Sequence, residues 1–391
     1  MQYKMKFAPL SEPLSFWLDF VRGSAAVLVL LDHSRGQLFG SYGPSFSGAD
    51  HALTKVFFVL FGMGTQAVMC FFVMSGLLIA PRFLSGKELN GRLLKDYSIA
   101  RLSRIWVVAI PALIISAAAA NLSMAVFGAS TSAFGTHCAP GATDIAANLL
   151  FLNKAYFPTI CSNGPYWSIH NEMFYYIMWP ALMFGIAAES RKLRYGCTAL
   201  LALMVSSLLV FDEPGLHNTL LLFPVWIAGG LCLALPEPRG PLWLWGALAA
   251  LAVVAPNMLR LEGAWLIEAY VIAISFALFF RKASSSTFVP PAPAVAFFRW
   301  LANISFSLYL THVILVNLTR TFLQFGLKAD VPFRSFSALS LGVYAGLLLA
   351  AMCLAQVFYL LFERHSHHVR RLAMTLVDRP GANRKRALAN E

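Results

Sequence analysis

The sequence predicts an all-α polytopic membrane protein: a bundle of about ten transmembrane helices with both termini cytoplasmic. Three observations carry that expectation. Of 391 residues, 58% are hydrophobic and only 12% charged, where a soluble domain carries about 25% charged. Mean hydropathy is +0.66. Apolar runs of near-spanning length recur along the chain, each approaching the ~30 Å hydrocarbon thickness at ~1.5 Å per residue. A transmembrane barrel would show short alternating segments instead. The predicted organisation is one integral membrane domain over 1–371, then a basic, disordered cytoplasmic tail over 372–391.

The runs lie at 16–40, 54–80, 105–127, 166–187, 196–211, 216–235, 241–259, 264–280, 300–325 and 336–362. With the termini inside, 23 of the 30 Lys and Arg residues fall on the cytoplasmic side and 7 outside, the asymmetry that sets helix orientation. The net charge of +12 sits in these connections and the tail, so it argues for topology and anionic lipid rather than nucleic acid. The first run is too long and too polar for a cleavable signal peptide, and no small-residue cleavage site follows it. Cys70, Cys197, Cys232 and Cys353 read as small core residues. Cys138 and Cys161 share the long outer loop, where either a disulfide worth roughly 3 kcal/mol or two free thiols fits.

The first run carries Asp19, Arg22, Asp32, His33 and Arg35. Arg22 and His33 are almost three helical turns apart, hence on one face and about 16 Å apart along the axis. A cation and an imidazole there need a protein interior or a wet cavity, unless each anchors one helix end. In the second run Ser75-Gly76 reads chiefly as close helix packing. RLSRIW, Arg101 to Trp106, is either an interfacial anchor or a clamp for a phosphorylated substrate. In NGPYWSIHNEMFYYIMWP, Asn163 to Pro180, Ser168, Glu172, Tyr175, Tyr176 and Trp179 share a face. A buried Glu172 must find a partner, for which an arginine or histidine would suit, or stay protonated, and either a catalytic role or a structural one fixing helix packing fits. In ISFSLYLTHVILVN, Ile304 to Asn317, Ser305, Tyr309 and His312 form one stripe, and a second intramembrane histidine suggests a cavity shared with the first. Glu363-Arg364 reads as an interface marker. The tail reads as a lipid-attracted segment.

Taken in this order, LDFVRG with its following histidine, FFVMSGLLI, RLSRIW, YWSIHNEMFYYIMWP, ISFSLYLTH and FERHSHHVRR resemble acyltransferase family 3 over nearly the whole chain. That resemblance implies a ten-helix bundle, a multi-pass location in the inner (plasma) membrane, and transfer of an acyl group, commonly acetyl from acetyl-CoA, to a sugar hydroxyl of a surface glycan. It implies catalytic roles for Arg22, His33 and Glu172, and substrate-binding roles for Arg101, Arg104, Trp167, Ser168, Tyr309 and His312. Glu363 matches the family's closing glutamate. The basic pair is spaced more widely here than in some members, and the proline often following it is Val107. No bound cofactor or metal is expected; acyl-CoA is the donor substrate, and a surface glycan or lipid-linked sugar the acceptor. The chain ends after its last span, so it is expected to act alone or with a separate extracytoplasmic transferase. On this reading His33 is general base or acyl relay, Asp32 or Glu172 orients it, and Tyr309 and His312 line a donor channel. A transporter or flippase of glycans or small anionic solutes is the competing class. The absence of a detectable two-fold repeat weighs against it.

Overall fold

The computed structural model describes residues 5–8, 10–40, 42–43, 46–48, 51–86, 88–128, 140–160, 163–213, 215, 217–259 and 263–377. Cys138 and Cys161, and with them the disulfide question, lie outside the described residues, as do 378–391. The described chain folds into helices without a strand: α1 (Glu12–Leu38), α2 (Ala52–Leu60), α3 (Gly64–Ile79), α4 (Pro81–Leu84), α5 (Gly91–Phe127), α6 (Ala142–Leu149), α7 (Trp167–Ala187), α8 (Arg191–Phe211), α9 (Thr219–Leu231), α10 (Leu242–Leu259), α11 (Trp265–Ser284), α12 (Ala292–Thr321), α13 (Ala338–Leu361) and α14 (Ser366–Val377).

Polar side chains in the connections start these helices. Ser11, Asn90, Ser190, Asn218 and Ser337 each accept a hydrogen bond from a backbone N–H of the first turn, satisfying donors that have no partner within the helix. Gly128 (φ +64°) closes α5 in the left-handed region, which glycine adopts without a Cβ penalty.

Seven helical stretches among the described residues are long and apolar enough to cross a membrane: Glu12–Leu38, Ala52–Leu84, Gly91–Phe127, Arg191–Phe211, Leu242–Leu259, Ala292–Gly326 and Ala338–Val377. Three runs counted as spans from the sequence are helical but fall outside that set, each for a physical reason. α7 carries His170, Asn171 and Glu172 among tyrosines, α11 carries Glu268, Arg281 and Lys282, and α9 has only 13 residues. The run at 54–80 is also not one helix. It breaks at 61–63, where Arg35 donates from Nε to the Phe61 carbonyl (2.8 Å) and Asn257 donates to the Gly62 carbonyl (2.8 Å).

Burial orders the bundle. Within the apolar window of the α12 stretch 78% of residues are enclosed, against 11% for α8 and 22% for α10. α12 is therefore a central helix, packed on α1, α5 and α13, while α8 and α10 turn Leu203, Leu209, Val210, Trp243 and Leu251 outward as a lipid-facing helix does. One large apolar core joins α1, α3, α5, α7, α9 and α11, with Trp226, Tyr175 and Phe280 fully buried in it. The stretch assigned to a tail begins within α14, which lies against α5.

Candidate active site

Five helices and one turn bring polar groups to a cavity of about 430 Å³. α1 supplies Arg22, α3 Ser75, α5 Arg101 and Arg104, α7 Ser168, Glu172 and Tyr176, and α12 Ser305 and Tyr309; the turn after α13 adds Glu363 and Arg364. Arg104 and Arg364 are exposed while Arg22 and Arg101 are partly buried, so the first two mark the mouth and the second two the interior. Among the described residues none of these four arginines is ion-paired. The buried Arg101 Nε has no hydrogen-bond partner. Four guanidinium groups face two carboxylates, which leaves a cationic cavity suited to phosphate oxygens.

The carboxylates are held by hydroxyls. Tyr176 donates a short hydrogen bond to Glu172, and its Oη also meets Ser75 Oγ at 3.1 Å; Ser75 in turn accepts from Trp226 Nε1 (3.1 Å). Glu172 thus takes a tyrosine, not the arginine or histidine that the sequence suggested. Glu363 accepts from the Ser307 backbone N–H (3.1 Å) and from its hydroxyl (2.6 Å). At the inner limit of the cavity the Ser168 and Tyr309 hydroxyls lie 2.7 Å apart, and both reach the Pro165 carbonyl.

His33 and His312 lie beyond that limit and do not line the cavity. They form a pair, His33 Nδ1 to His312 Nε2 at 3.0 Å. His312 Nδ1 meets the Leu308 carbonyl at 2.8 Å. His312 is fully buried, whereas His33 keeps part of its surface accessible. Among the described residues neither Asp32 nor Glu172, the orienting groups expected from sequence, hydrogen-bonds to His33, although the Asp32 carboxylate acts on it through its charge. Asp32 is bound to Arg35 (2.8 Å), whose guanidinium also takes the Phe61 and Gly40 carbonyls. The expected place of His312 in a donor channel is likewise replaced by contact with His33, while Tyr309 does line the cavity.

Trp167 is also outside the cavity. It stacks on His217 with ring centroids 3.9 Å apart, over a network in which Lys154 pairs with buried Asp212 (2.6 Å) and Thr219 donates to Asn171 (2.9 Å).

Of the residues singled out from sequence, Arg22, Arg101, Arg104, Ser168, Glu172 and Tyr309 share the cavity, His33 and His312 share a hydrogen bond, and Trp167 joins neither group. Sequence reasoning missed Tyr176 as the Glu172 partner, although the i, i+4 spacing on one helix face carried that signal. It also passed over Glu363 and Arg364 as interface markers. A family model described as an acyltransferase domain, that of acyltransferase family 3, matches residues 15–360, and the chain belongs to that family. No curated protein and no solved structure matches it.

Proposed function

We propose that this membrane acyltransferase moves an acyl group, in the first instance acetyl, from cytosolic acyl-CoA to a hydroxyl of a cell-envelope polysaccharide or another glycan. In this reading ten helices cross the inner membrane, the termini and the mouth at Arg104 and Arg364 face the cytoplasm, and His33 stands toward the outer side. Arg22, Arg101 and Arg104 hold the phosphates of the donor, with Arg364 at the rim. The thioester arm passes Tyr309 and Ser168 toward the histidine pair. Arg22 and His33 are separated by about 16 Å along α1, a distance of the same order as a pantetheine arm.

The observation that supports the reading is the separation of two chemistries along one helix, an arginine-lined cavity at one depth and a partly accessible imidazole at another. The reaction then needs one base. His33 takes the proton of the acceptor hydroxyl as its oxygen attacks the thioester carbonyl. The carbon–sulfur bond breaks, and the leaving thiolate recovers that proton from the imidazolium. An ester and a free thiol result, and the enzyme is regenerated. General-base help of this kind contributes roughly 10²–10⁴-fold.

The test follows radiolabelled acetyl-CoA into envelope glycan in membranes containing the protein. Label should become covalently attached to glycan, and His33→Ala should abolish it. Near-normal labelling by His33→Ala would remove His33 from the chemistry. Movement of unmodified glycan across the membrane without label transfer would favour the transporter class.

A further inference from the structure

Resting on the assignment of His33 as base, we infer that His312 is a positioning residue that fixes the tautomer of His33. The argument is one of donors and acceptors. The Leu308 carbonyl can only accept, so His312 Nδ1, 2.8 Å away, carries a proton. A neutral imidazole has one N–H, so His312 Nε2 presents a lone pair. That nitrogen lies 3.0 Å from His33 Nδ1, which must therefore donate; the Val29 carbonyl, one turn earlier on α1, is a second acceptor beside the same ring. His33 Nδ1 holds its proton, and Nε2 is left unprotonated as the basic nitrogen. His33 is partly accessible while its partner is 0% exposed, so an acceptor can approach His33 and not His312.

The choice of a neutral partner has a chemical reason. A carboxylate at the same place would select the same tautomer but would also stabilise the imidazolium and raise the basicity of the ring. A neutral nitrogen selects the tautomer without adding charge. It still strengthens its hold when His33 becomes cationic, because a hydrogen bond from a charged donor is roughly twice as strong. The acceptor nitrogen is itself fixed: His312 is tied to the backbone of α12 one turn before it, and α12 packs against α1 through Leu308, Ala26 and Leu30. Gly23 lets the same two helices approach, since a Cβ there would come 2.8 Å from the Leu301 side chain.

The experiment compares wild type with His312→Leu, His312→Gln and His33→Ala. Acetyl transfer from labelled acetyl-CoA to envelope glycan is read alongside nitrogen NMR of the ¹⁵N-histidine-labelled protein. His312→Leu should lower kcat by roughly 10²–10⁴-fold, the contribution of a correctly protonated general base, with KM for acetyl-CoA unchanged. His312→Gln, whose amide oxygen can accept from His33 Nδ1, should recover most of that loss. In the spectra His33 should be protonated at Nδ1 in wild type and His312→Gln, and a mixture of tautomers in His312→Leu. The inference is overturned by any of three results: a folded His312→Leu with kcat within a few-fold of wild type, a rise in KM with kcat preserved, or His33 protonated at Nε2 in wild type. If His312→Leu does not fold, the wild-type spectrum and His312→Gln still decide. His33→Ala separates the two readings: full activity in that variant sinks the base assignment, while the wild-type spectrum judges the tautomer independently.

Discussion

Arg101 lines the cavity and forms no ion pair among the described residues. A charge-assisted hydrogen bond from its guanidinium to an anion there is worth about 1.5–3 kcal/mol. Arg101→Gln should therefore raise KM for acetyl-CoA roughly 10- to 100-fold with kcat within a few-fold. Arg101→Lys should restore only part of the loss, because an ammonium keeps the charge but not the planar fork. Steady-state kinetics over a range of acetyl-CoA concentrations checks this, and an unchanged KM in Arg101→Gln would take this arginine out of the donor site. At this scale the sequence was informative wherever the relation was local. The shared face of Arg22 and His33 and the stripe of Ser305, Tyr309 and His312 both follow from helical spacing alone. What joins His33 to His312 does not, because 279 residues separate them and helix packing decides which pairs meet. Asp32 makes no hydrogen bond to His33 because Arg35, one turn along the same helix, takes its carboxylate.

The crossing of α3 and α9 shows the same division at the level of elements. Small residues in FFVMSGLLI suggested close packing, and the two backbones do nearly touch. A Cβ on Gly76 would come 1.8 Å from the Trp226 carbonyl oxygen, and one on Gly229 would come 1.9 Å from that of Val73. No side-chain rotation relieves a clash with backbone. Gly229→Ala must push the helices apart, costing about 1–3 kcal/mol or more. It should also loosen the chain from Trp226 through Ser75 to Tyr176 and Glu172. The expected outcome is a lower unfolding temperature in detergent together with reduced acetyl transfer. Gly342→Ala, on α13 with nothing within 4 Å of its Cβ, should be neutral or slightly stabilising. Equal unfolding temperatures for Gly229→Ala and wild type would mean that this contact does not hold the crossing. The break between α2 and α3 was not read from the sequence, although Gly62, Gly64 and the polar Thr65 and Gln66 interrupt the apolar run there. It depends on Arg35 and Asn257, from two other helices, taking the carbonyls that the break frees.

For the whole molecule the decisive property is polarity across the bundle. Arg22, Arg101, Arg104 and Arg364 collect around one cavity, and in the proposed ten-span topology the basic connections lie on that side. The histidine pair lies on the other side of Tyr309 and Ser168. A charged donor cannot cross the apolar belt of the bundle unaided, since each ionised group carries a desolvation cost of several kcal/mol. Donor and acceptor should therefore enter from opposite faces. In sealed inside-out vesicles, with the cytoplasmic face outward, added labelled acetyl-CoA should acylate lumenal glycan. In sealed right-side-out vesicles the same addition should give no label until the membrane is permeabilised. A transporter of glycans would move unmodified substrate in either preparation and would not need the thioester. Labelling of intact right-side-out vesicles would place the arginine cavity on the outer face, reversing the orientation drawn from the 23 to 7 distribution of basic residues. It would leave the pairing of His33 with His312 intact, because that contact depends on how α1 and α12 pack and not on which side of the membrane they begin.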